Sequence, residues 1–526
     1  MTTAIAQRRG RRWLTLSVLC VTLLLISVDN TILNVALPSI VRDLHATSSQ
    51  LQWVVDAYAV VFAGLLLTVG ALGDRVGRKW VFLAGLAVFA GGSAFSAWSG
   101  SPGRLIAARA CMGVGAAAIM PSTLSILTNV FTAERDRARA IGIWSGTTGL
   151  GVAIGPILGG FLLDRYWWGS VFLINVPIAV VGLIAALWLV PNSRNPSTQP
   201  PDPIGAVLSM FGLGLLLWSI IEAPNRTWTS PLIIGAMVGA VTVITIFVLW
   251  ERHSDHPMLP LRFFRRRRFS AAILALALVL FALLGMFFLM TQYLQFSLGY
   301  SPLQTGLRIG PIALVLLVAA PLSIVLARRF GTKPVVVAGM LLIAAGLALL
   351  SRITVHGGYL DVLPAFICVG IGVGLALAPA TESVMGSLPL AQAGVGSATN
   401  DTALQVGGAL GVGVLGTALN IRYHNLMAPL LGGYPIPADI KNVILGSLGG
   451  TLGVAQHLPG KSGDALAAAG RRSFVSGMDL GLLIAACVVG VAAIVVVVLL
   501  PNKGRPRPPA TGGSRSIQTR GHGGGD

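Results

Sequence analysis

Runs of mostly apolar residues, each about 20 residues long and so able to cross the hydrocarbon core of a bilayer, recur along the whole of this 526-residue chain. Only helices and closed barrels satisfy their backbone hydrogen bonds in that environment. Charged residues make up 10% of the chain, against about 25% in a soluble domain. The sequence therefore predicts an all-α polytopic membrane protein.

The pattern of apolar runs and loops predicts fourteen transmembrane helices, which we number spans 1 to 14. They are expected at residues 13–36, 52–72, 80–99, 104–127, 138–162, 171–190, 203–223, 231–250, 271–294, 306–327, 334–352, 360–380, 397–420 and 478–500. An even number of spans puts both termini on one side. Most lysines and arginines lie on that side, so both termini are predicted to be cytoplasmic. This asymmetry explains the net charge of +19, and no nucleic-acid-binding motif accompanies it.

Two loops have related sequences. GDRVGRKWVFLAG (73–85) follows span 2, and ARRFGTKPVVVAG (327–339) follows span 10. Aligned without gaps, they share the residues at Arg75/Arg329, Gly77/Gly331, Lys79/Lys333, Val81/Val335, Ala84/Ala338 and Gly85/Gly339. The repeat predicts two related six-helix halves, spans 1–6 and spans 9–14, with spans 7 and 8 as an inserted pair. Duplicated halves around a central site are typical of secondary transporters.

Domain boundaries follow from this repeat. We expect an N-terminal half at 1–190, a linker with the inserted pair at 191–269, and a C-terminal half at 270–500. The C-terminal half contains a long outer loop, 421–476. The tail 501–526 is polar and rich in Gly, Pro and Arg, so it is predicted to be a disordered cytoplasmic segment.

Within the membrane, carboxylates are the side chains that the sequence offers for proton transfer. The seven histidines fall in predicted loops or tails, and the four cysteines lie in spans without metal-type spacing. We therefore expect no metal site, no cofactor and no enzymatic activity. The run FFRRRRF before span 9 is typical of a segment that contacts anionic lipid, here through Arg265, Arg266, Arg267 and Arg268.

Two spans contain charged residues at depth. LLISVDNTILNVALPSI (23–39) places Asp29 and Asn30 inside span 1. A carboxylate at the centre of a membrane helix costs about 2.5–3.5 kcal/mol on insertion scales, so an acid there indicates function. LIAARACMGVGAAAIMP (105–121) places Arg109 in span 4, where it needs a partner or a water-filled cavity. The alternative is an arginine that snorkels to the membrane edge.

Two motifs combine glycines with functional side chains. The glycines of GDRVGRK allow tight turns, and its aspartate can form an ion pair with a nearby arginine. The alternative is that the charges of this loop only determine how the helices are oriented in the membrane. In GLGVAIGPILGG (149–160), glycines four residues apart leave one helix face bare for close approach of another helix, and a proline bends the helix. The residues are Gly73, Asp74, Arg75, Gly77, Arg78 and Lys79 in the first motif, and Gly151, Gly155, Pro156, Gly159 and Gly160 in the second.

These segments resemble signatures of the major facilitator superfamily. GDRVGRK is similar to its cytoplasmic loop motif, the segment around Arg109 to its helix-4 motif, and the span 5 glycines to the helix-5 signature of its antiporters. VDNTILNVALP, LQWVVDAY (51–58) and FLINVPIA (172–179) resemble the fourteen-spanning drug:proton antiporters, close to the multidrug and quaternary-ammonium exporters. The resemblance covers essentially the whole chain.

The resemblance implies a proton-coupled antiporter that exports lipophilic, often cationic, drugs or antiseptics by alternating access. Asp29 and Arg109 would take part in proton coupling, and Asp56 would face a cation near the outer end of span 2. Many relatives carry a charged residue at the position of Gln405 or just before it. In this chain both Leu404 and Gln405 are uncharged. Candidates for substrate recognition are Asp56, Asp401, Asn30, Tyr58, Gln405, Phe287 and Tyr293, with Glu222 as a further acid.

Three alternatives remain open. The same machinery could export an endogenous lipid, siderophore or antibiotic. Proton-coupled uptake is disfavoured by the span 5 glycines, and a membrane-embedded enzyme or receptor would need a catalytic motif that is not visible. The expected setting is the inner (cytoplasmic) membrane of a bacterium, with a monomer that is driven by the proton gradient and exports small molecules.

Overall fold

The computed structural model describes residues 2–194, 201–254, 257, 259, 261–355, 357–388, 393–432 and 436–500. These residues form helices and no strand. Fourteen of the helices are long and apolar enough to cross a membrane, which confirms the predicted all-α polytopic fold. The predicted tail 501–526 and linker residues 195–200 lie outside the described part of the chain.

Most of the spans are longer than their apolar runs. In chain order they are Thr2–Leu44, Ser48–Val76, Arg78–Ala97, Pro102–Val130, Glu134–Arg165, Ser170–Leu173 continued by Asn175–Leu189, Pro203–Arg226, Pro231–His253, Arg267–Gln292 continued by a π-helical turn Tyr293–Ser297, Pro302–Phe330, Thr332–Leu350, Tyr359–Met385, Ala393–Leu431 and Lys461–Leu499. Shorter helices are Leu261–Arg265, Ala438–Gly446 and Leu448–His457.

The predicted outer loop 421–476 is therefore largely helical. Span 13 continues to Leu431, span 14 begins at Lys461, and two short helices lie between them. Hydropathy identifies the part of a helix that lies in lipid, whereas a helix can continue into water where its residues favour it. The hydroxyl of Tyr423 helps to hold the short helices, since it lies within hydrogen-bond distance of the carbonyls of Ile444 and Ser447, at 3.2 and 3.4 Å.

The repeat detected in the sequence has a structural counterpart. Thr47 and Gln50 form a reciprocal capping box at the start of span 2, and Ser301 and Gln304 form another at the start of span 10. Such a box satisfies two of the N–H groups that a helix start leaves without partners. The second helix of each half thus begins in the same way.

Each of these helices also ends in the same way. Only Gly77 separates span 2 from span 3, and only Gly331 separates span 10 from span 11. Their φ angles are 132° and 96°, a region that favours glycine. The predicted loop 73–79 is consequently helical except at Gly77, and each half contains one very short turn at the matched position.

The loops give the bundle two distinct ends. Span 1 begins and span 14 terminates on the same side of the bundle. The arginine-rich segments lie on that side, which we call the basic end. The other side is called the opposite end. The hydrogen bonds that join the two halves lie toward the opposite end. The Nε2 of Gln295 donates to the carbonyl of Val35 at 2.9 Å, and the hydroxyl of Ser301 donates to the Oδ2 of Asp164 at 3.0 Å.

The inserted pair lies beside spans 2 and 13. The hydroxyl of Thr417 donates to the carbonyl of Ile220 at 3.1 Å, and the hydroxyl of Ser49 donates to that of Ile221 at 3.4 Å. Span 7 therefore contacts both halves, whereas span 8 packs on span 7 and leaves most of its own surface exposed. The predicted lipid-contacting arginines Arg265, Arg266 and Arg267 are also exposed.

Candidate functional site

A buried ion pair joins spans 1 and 4. The Nη1 of Arg109 lies 2.6 Å from the Oδ2 of Asp29, and the two side chains are 1% and 0% exposed. Burying two charges is expensive, and the attraction between them offsets that cost only when further hydrogen bonds satisfy both groups. Arg109 is therefore not a snorkelling residue at the membrane edge.

Both charged groups have the further partners that burial requires. The Nε of Arg109 donates to the carbonyl of Val54 at 3.1 Å, and its guanidinium lies 4.4 Å from the centre of the Tyr58 ring. On the other side, the Nδ2 of Asn175 donates to the Oδ1 of Asp29 at 2.9 Å. Spans 1, 2, 4 and 6 thus meet at this ion pair, and each oxygen of the Asp29 carboxylate accepts a hydrogen bond.

The sequence did not identify two members of this cluster. Asn175 stands in the sequence only as one residue of FLINVPIA, and no motif points to Ser93, whose hydroxyl lies 3.3 Å from the Nδ2 of Asn175. Asn175 begins the second segment of span 6. Asn175 is a polar residue within an apolar run, as Asp29 is. This feature could have identified Asn175 as a candidate from the sequence.

The glycine face of span 5 packs on the segment of span 1 that carries Asp29. A Cβ atom at Gly151 would collide with Ser27, and one at Gly155 would collide with the hydroxyl of Thr31. A Cβ atom at Gly159 would lie 2.6 Å from the Cγ1 of Ile32. The bare face predicted from the sequence therefore contacts the residues on either side of the acid.

Span 5 also contacts the C-terminal half. A Cβ atom at Gly160 would lie 2.5 Å from the Cα of Leu303, and one at Gly306 would collide with the carbonyl of Pro156. Leu303 and Gly306 belong to span 10. Span 5 thus packs on the Asp29 segment of span 1 with one face and on span 10 of the C-terminal half with another.

The GDRVGRK motif ties helices together at the basic end. The Nε of Arg78 lies 2.6 Å from the Oδ1 of Asp74, and its Nη1 donates to the carbonyl of Ser125 at 3.2 Å. The Nζ of Lys79 donates to the carbonyl of Leu187 at 2.7 Å. The motif therefore links the turn between spans 2 and 3 to spans 4 and 6, while Arg75 is exposed.

Asp56 lies at a different place from the Asp29 cluster. It is 0% exposed, and neither carboxylate oxygen has a hydrogen-bond partner among the described residues. The Cβ position of Gly413 on span 13 is 3.5 Å from its Oδ2. In this conformation, Asp56 lies against span 13 and is not open to a cavity.

The structure does not bring Asp401 to Asp56. Asp401 is partly buried on span 13, where the Nδ2 of Asn400 donates to its Oδ1 at 3.1 Å. Gly413 lies twelve positions further along the same helix, which is about 18 Å at 1.5 Å per residue. The two acids therefore occupy separate levels of the bundle.

The remaining predicted residues are dispersed. Phe287 and Tyr293 are buried within the C-terminal half, and the Tyr293 hydroxyl donates to the carbonyl of Thr354 at 3.0 Å. Asn30 and Gln405 are partly buried. Glu222 forms a 3.1 Å ion pair with Arg226 near the opposite end. Within the described residues, no group of His, Cys, Asp and Glu side chains could hold a metal ion.

Comparisons with known proteins bear on this arrangement. The sequence model of the Major Facilitator Superfamily matches residues 19–412. The chain is 36% identical over 490 residues to the multidrug efflux pump LfrA of Mycolicibacterium smegmatis, covering 92% of this chain and 96% of that protein. It is 34% identical over 507 residues to the tetracenomycin C resistance and export protein of Streptomyces glaucescens, covering 95% and 93%.

A solved structure has the same fold. It is a bacterial homolog to the human lysosomal transporter Spinster in an inward-facing and occupied conformation. The TM-score is 0.63 at 17% sequence identity, over 92% of this chain and 96% of that chain.

Proposed function

This chain belongs to the major facilitator superfamily, and from that membership we propose that it exports lipophilic, often cationic, small molecules in exchange for protons. It is a multi-pass membrane protein whose relatives include a multidrug efflux pump and a tetracenomycin C resistance and export protein. The observation that carries the proposal is the buried pair of Asp29 and Arg109, with the glycine face of span 5 packed beside it. Such a carboxylate can be neutralised by a proton when another conformation of the transport cycle opens it to water.

The proposed coupling passes through span 5. When Asp29 takes up a proton, its charge attraction to Arg109 is lost, and the span 1 segment is free to shift. Because span 5 contacts both that segment and span 10, the shift alters the contact between the halves. A bound cation favours the ionised acid, so proton and substrate compete, and the halves rock about a central site.

The proposed orientation puts the basic end in the cytoplasm of a bacterium, with the protein in the inner membrane. The hydrogen bonds between the halves then lie on the outer side, so this conformation is closed towards the outside. We propose that a monomer works without a cofactor and that Arg265, Arg266, Arg267 and Arg268 contact anionic lipid. The proton gradient supplies the free energy.

The free energy available from the proton gradient constrains the number of protons that are exchanged for each exported cation. A potential of 100 mV is worth about 2.3 kcal/mol per charge, and one pH unit about 1.36 kcal/mol. Exchange of one proton for one monovalent cation moves no net charge and uses only the pH difference. Strong export of a cation therefore favours two or more protons, for which Asp29 together with Asp56 or Asp401 would supply sites.

Transport in proteoliposomes tests the proposal. Purified protein is reconstituted, a pH gradient is imposed, and movement of a fluorescent lipophilic cation is followed. We expect the cation to move against the direction of proton flow, and to stop moving when an ionophore collapses the gradient. Movement of the cation in the same direction as protons would instead identify a symporter.

Asn175 provides a graded test of the site. Asn175→Leu keeps a similar volume but removes the donor to the Oδ1 of Asp29, and a hydrogen bond to a charged group is worth about 1.5–3 kcal/mol. We expect a marked loss of proton-driven efflux. Ser93→Ala, which removes only the more distant hydroxyl, should have a smaller effect. If both variants show the same efflux as the parent protein, Asn175 has no role in proton coupling.

Asp56 and Asp401 are expected to select substrates. A divalent cation gains more from a second fixed carboxylate than a monovalent cation does, because a charge pair about 6 Å apart interacts by roughly 2.8 kcal/mol at an effective dielectric constant near 20. Asp56→Asn and Asp401→Asn should therefore weaken efflux of a divalent dye more than that of a monovalent dye. Both dyes are measured in the same cells. Complete loss of both would make these acids part of the coupling machinery.

A further inference from the structure

Span 7 of the inserted pair covers the seam at which span 2 of the N-terminal half meets span 13 of the C-terminal half. Leu217 and Ile221 of span 7 are both fully buried. A Cβ atom at Gly413 of span 13 would lie 3.0 Å from the Cδ2 of Leu217 and 3.8 Å from the Cγ1 of Ile221. The same position is 3.5 Å from the Oδ2 of Asp56. Span 7 therefore lies over the place at which Asp56 meets the other half.

Span 7 is held to span 2 along most of its length. At the basic end, the hydroxyl of Thr68 donates to the carbonyl of Asp202, the residue before span 7, at 3.1 Å. At the opposite end, the hydroxyl of Ser49 donates to a carbonyl of span 7 at 3.4 Å. Between these bonds, a Cβ atom at Gly64 would collide with the side chain of Met210. The inserted helix is thus attached to the N-terminal half at both of its ends.

Among the described residues, one hydrogen bond joins span 7 to the C-terminal half. The hydroxyl of Thr417 donates to the carbonyl of Ile220 at 3.1 Å. Pro224 follows Ile220 by four residues in the same helix, and a proline has no N–H to donate. The carbonyl of Ile220 therefore lacks its usual helical donor, and a side chain of span 13 takes that place.

The hydroxyl of Thr417 also departs from the usual behaviour of its residue type. A threonine within a helix commonly donates to a carbonyl of its own helix one turn earlier. Thr399 of the same span does so, to the carbonyl of Val395 at 2.7 Å. Thr417 donates across to span 7 instead. Donor and acceptor are thus both arranged for a contact between the two helices.

The closed seam also buries polar groups that have no partner. Gln52 and Asp56 lie one helical turn apart on span 2, and both are fully buried. The polar atoms of their side chains have no hydrogen-bond partner among the described residues. Because an unsatisfied buried polar group costs free energy, this arrangement favours separation of spans 2 and 13. A bond across the seam opposes that separation.

We propose that span 7 moves with the N-terminal half, and that the bond between Thr417 and Ile220 is a latch that holds the opposite end closed. The inference rests on the alternating access proposed above. When the opposite end opens, the latch breaks and span 7 stays on span 2. Gln52 and Asp56 then become accessible from that end. The inserted pair thus supplies a part of the gate that the two six-helix halves do not contain themselves.

Distances between spin labels test the latch without a transported substrate. Cysteines replace Trp98 and Leu360, one exposed residue of each half at the opposite end, in a chain whose four native cysteines are changed to serine. We expect Thr417→Val and Pro224→Ala each to raise the ratio of the longer to the shorter distance. The rise should be about 2- to 10-fold, the effect of one ordinary hydrogen bond on an equilibrium constant.

Thr399→Val is the matched control, because it removes a hydroxyl that bonds only within span 13. It should leave the distance ratio unchanged. An unchanged ratio in Thr417→Val, or an equal rise in Thr399→Val, would overturn the latch and leave alternating access intact. One single distance in the parent protein and in every variant would contradict alternating access itself, and the latch with it.

Two engineered disulfides test which half span 7 follows. The Cβ of Met210 is 3.3 Å from the Cβ position of Gly64, close to the separation in a disulfide. Oxidation of Gly64→Cys with Met210→Cys should leave efflux of ethidium unchanged, because spans 2 and 7 move together. Oxidation of Leu217→Cys with Gly413→Cys should stop efflux until the bond is reduced. Loss of efflux on oxidation of the first pair, or normal efflux with the second pair linked, would overturn the proposal.

Discussion

We expect Asp29→Asn to abolish proton-driven efflux and to lower the stability of the protein. Asparagine keeps the shape of the side chain but cannot take up or release a proton, so the exchange has no group to drive it. The change also leaves Arg109 buried without its counter-charge. Removal of one partner from a buried ion pair typically costs about 3–5 kcal/mol. Efflux is measured under an imposed pH gradient, and stability as the melting temperature in detergent.

A double variant separates these two effects. Asp29→Asn combined with Arg109→Gln removes both charges, so the melting temperature should rise towards that of the parent protein while proton-driven efflux stays absent. If the double variant recovers both stability and efflux, Asp29 is a structural residue and not the coupling group. Undiminished efflux by Asp29→Asn at equal protein level leads to the same conclusion.

We expect Gly155→Leu to block export, because span 5 could then no longer lie against span 1. A single Cβ atom at this position already collides with the hydroxyl of Thr31, and leucine adds three more carbons beyond it. Overpacking of a tight contact typically costs about 1–3 kcal/mol, and here the displaced segment is the one that carries Asp29. We expect efflux to fall to the level of cells without the protein, measured at matched amounts in the membrane.

Gly149 is the matched control on the same helix. A Cβ atom there has no heavy atom within 4 Å, so Gly149→Leu adds the same side chain at a position with open space. It should reach the membrane and pump like the parent protein. Loss of efflux in both variants to the same degree would falsify the claim that close packing on span 1 is what matters.

The fold was predictable because its main determinant is local. Apolar runs of the required length fix the number of spans, and the alternation of loop charge predicts their direction. The glycines at 151, 155 and 159 also predicted a bare helix face. What they could not indicate is which helix it contacts, because that depends on residues more than a hundred positions away in the sequence, such as Thr31.

The composition of the site was harder to predict for the same reason. Asp29 and Arg109 were each recognisable as costly charges in an apolar setting, and that cost required partners. The pairing of the two with each other, and the amide of Asn175 as a third partner, depend on how spans 1, 4 and 6 meet. Asp56 shows the limit of sequence reasoning, since its position against span 13 belongs to one conformation of a moving protein.

The burial of Asp29 has a consequence for the cell when no drug is present. The carboxylate is 0% exposed and both of its oxygens accept hydrogen bonds from protein donors, so no water contacts it in this conformation. Protons hop along connected water or hydroxyl groups, and here that route is interrupted at the acid itself. If Asp29 is the coupling acid, as proposed, a transporter held in this conformation does not conduct protons through it, and a proton gradient across the membrane is preserved. The seal around one carboxylate thus lets a membrane hold many copies of such a protein without a continuous leak of protons through that acid.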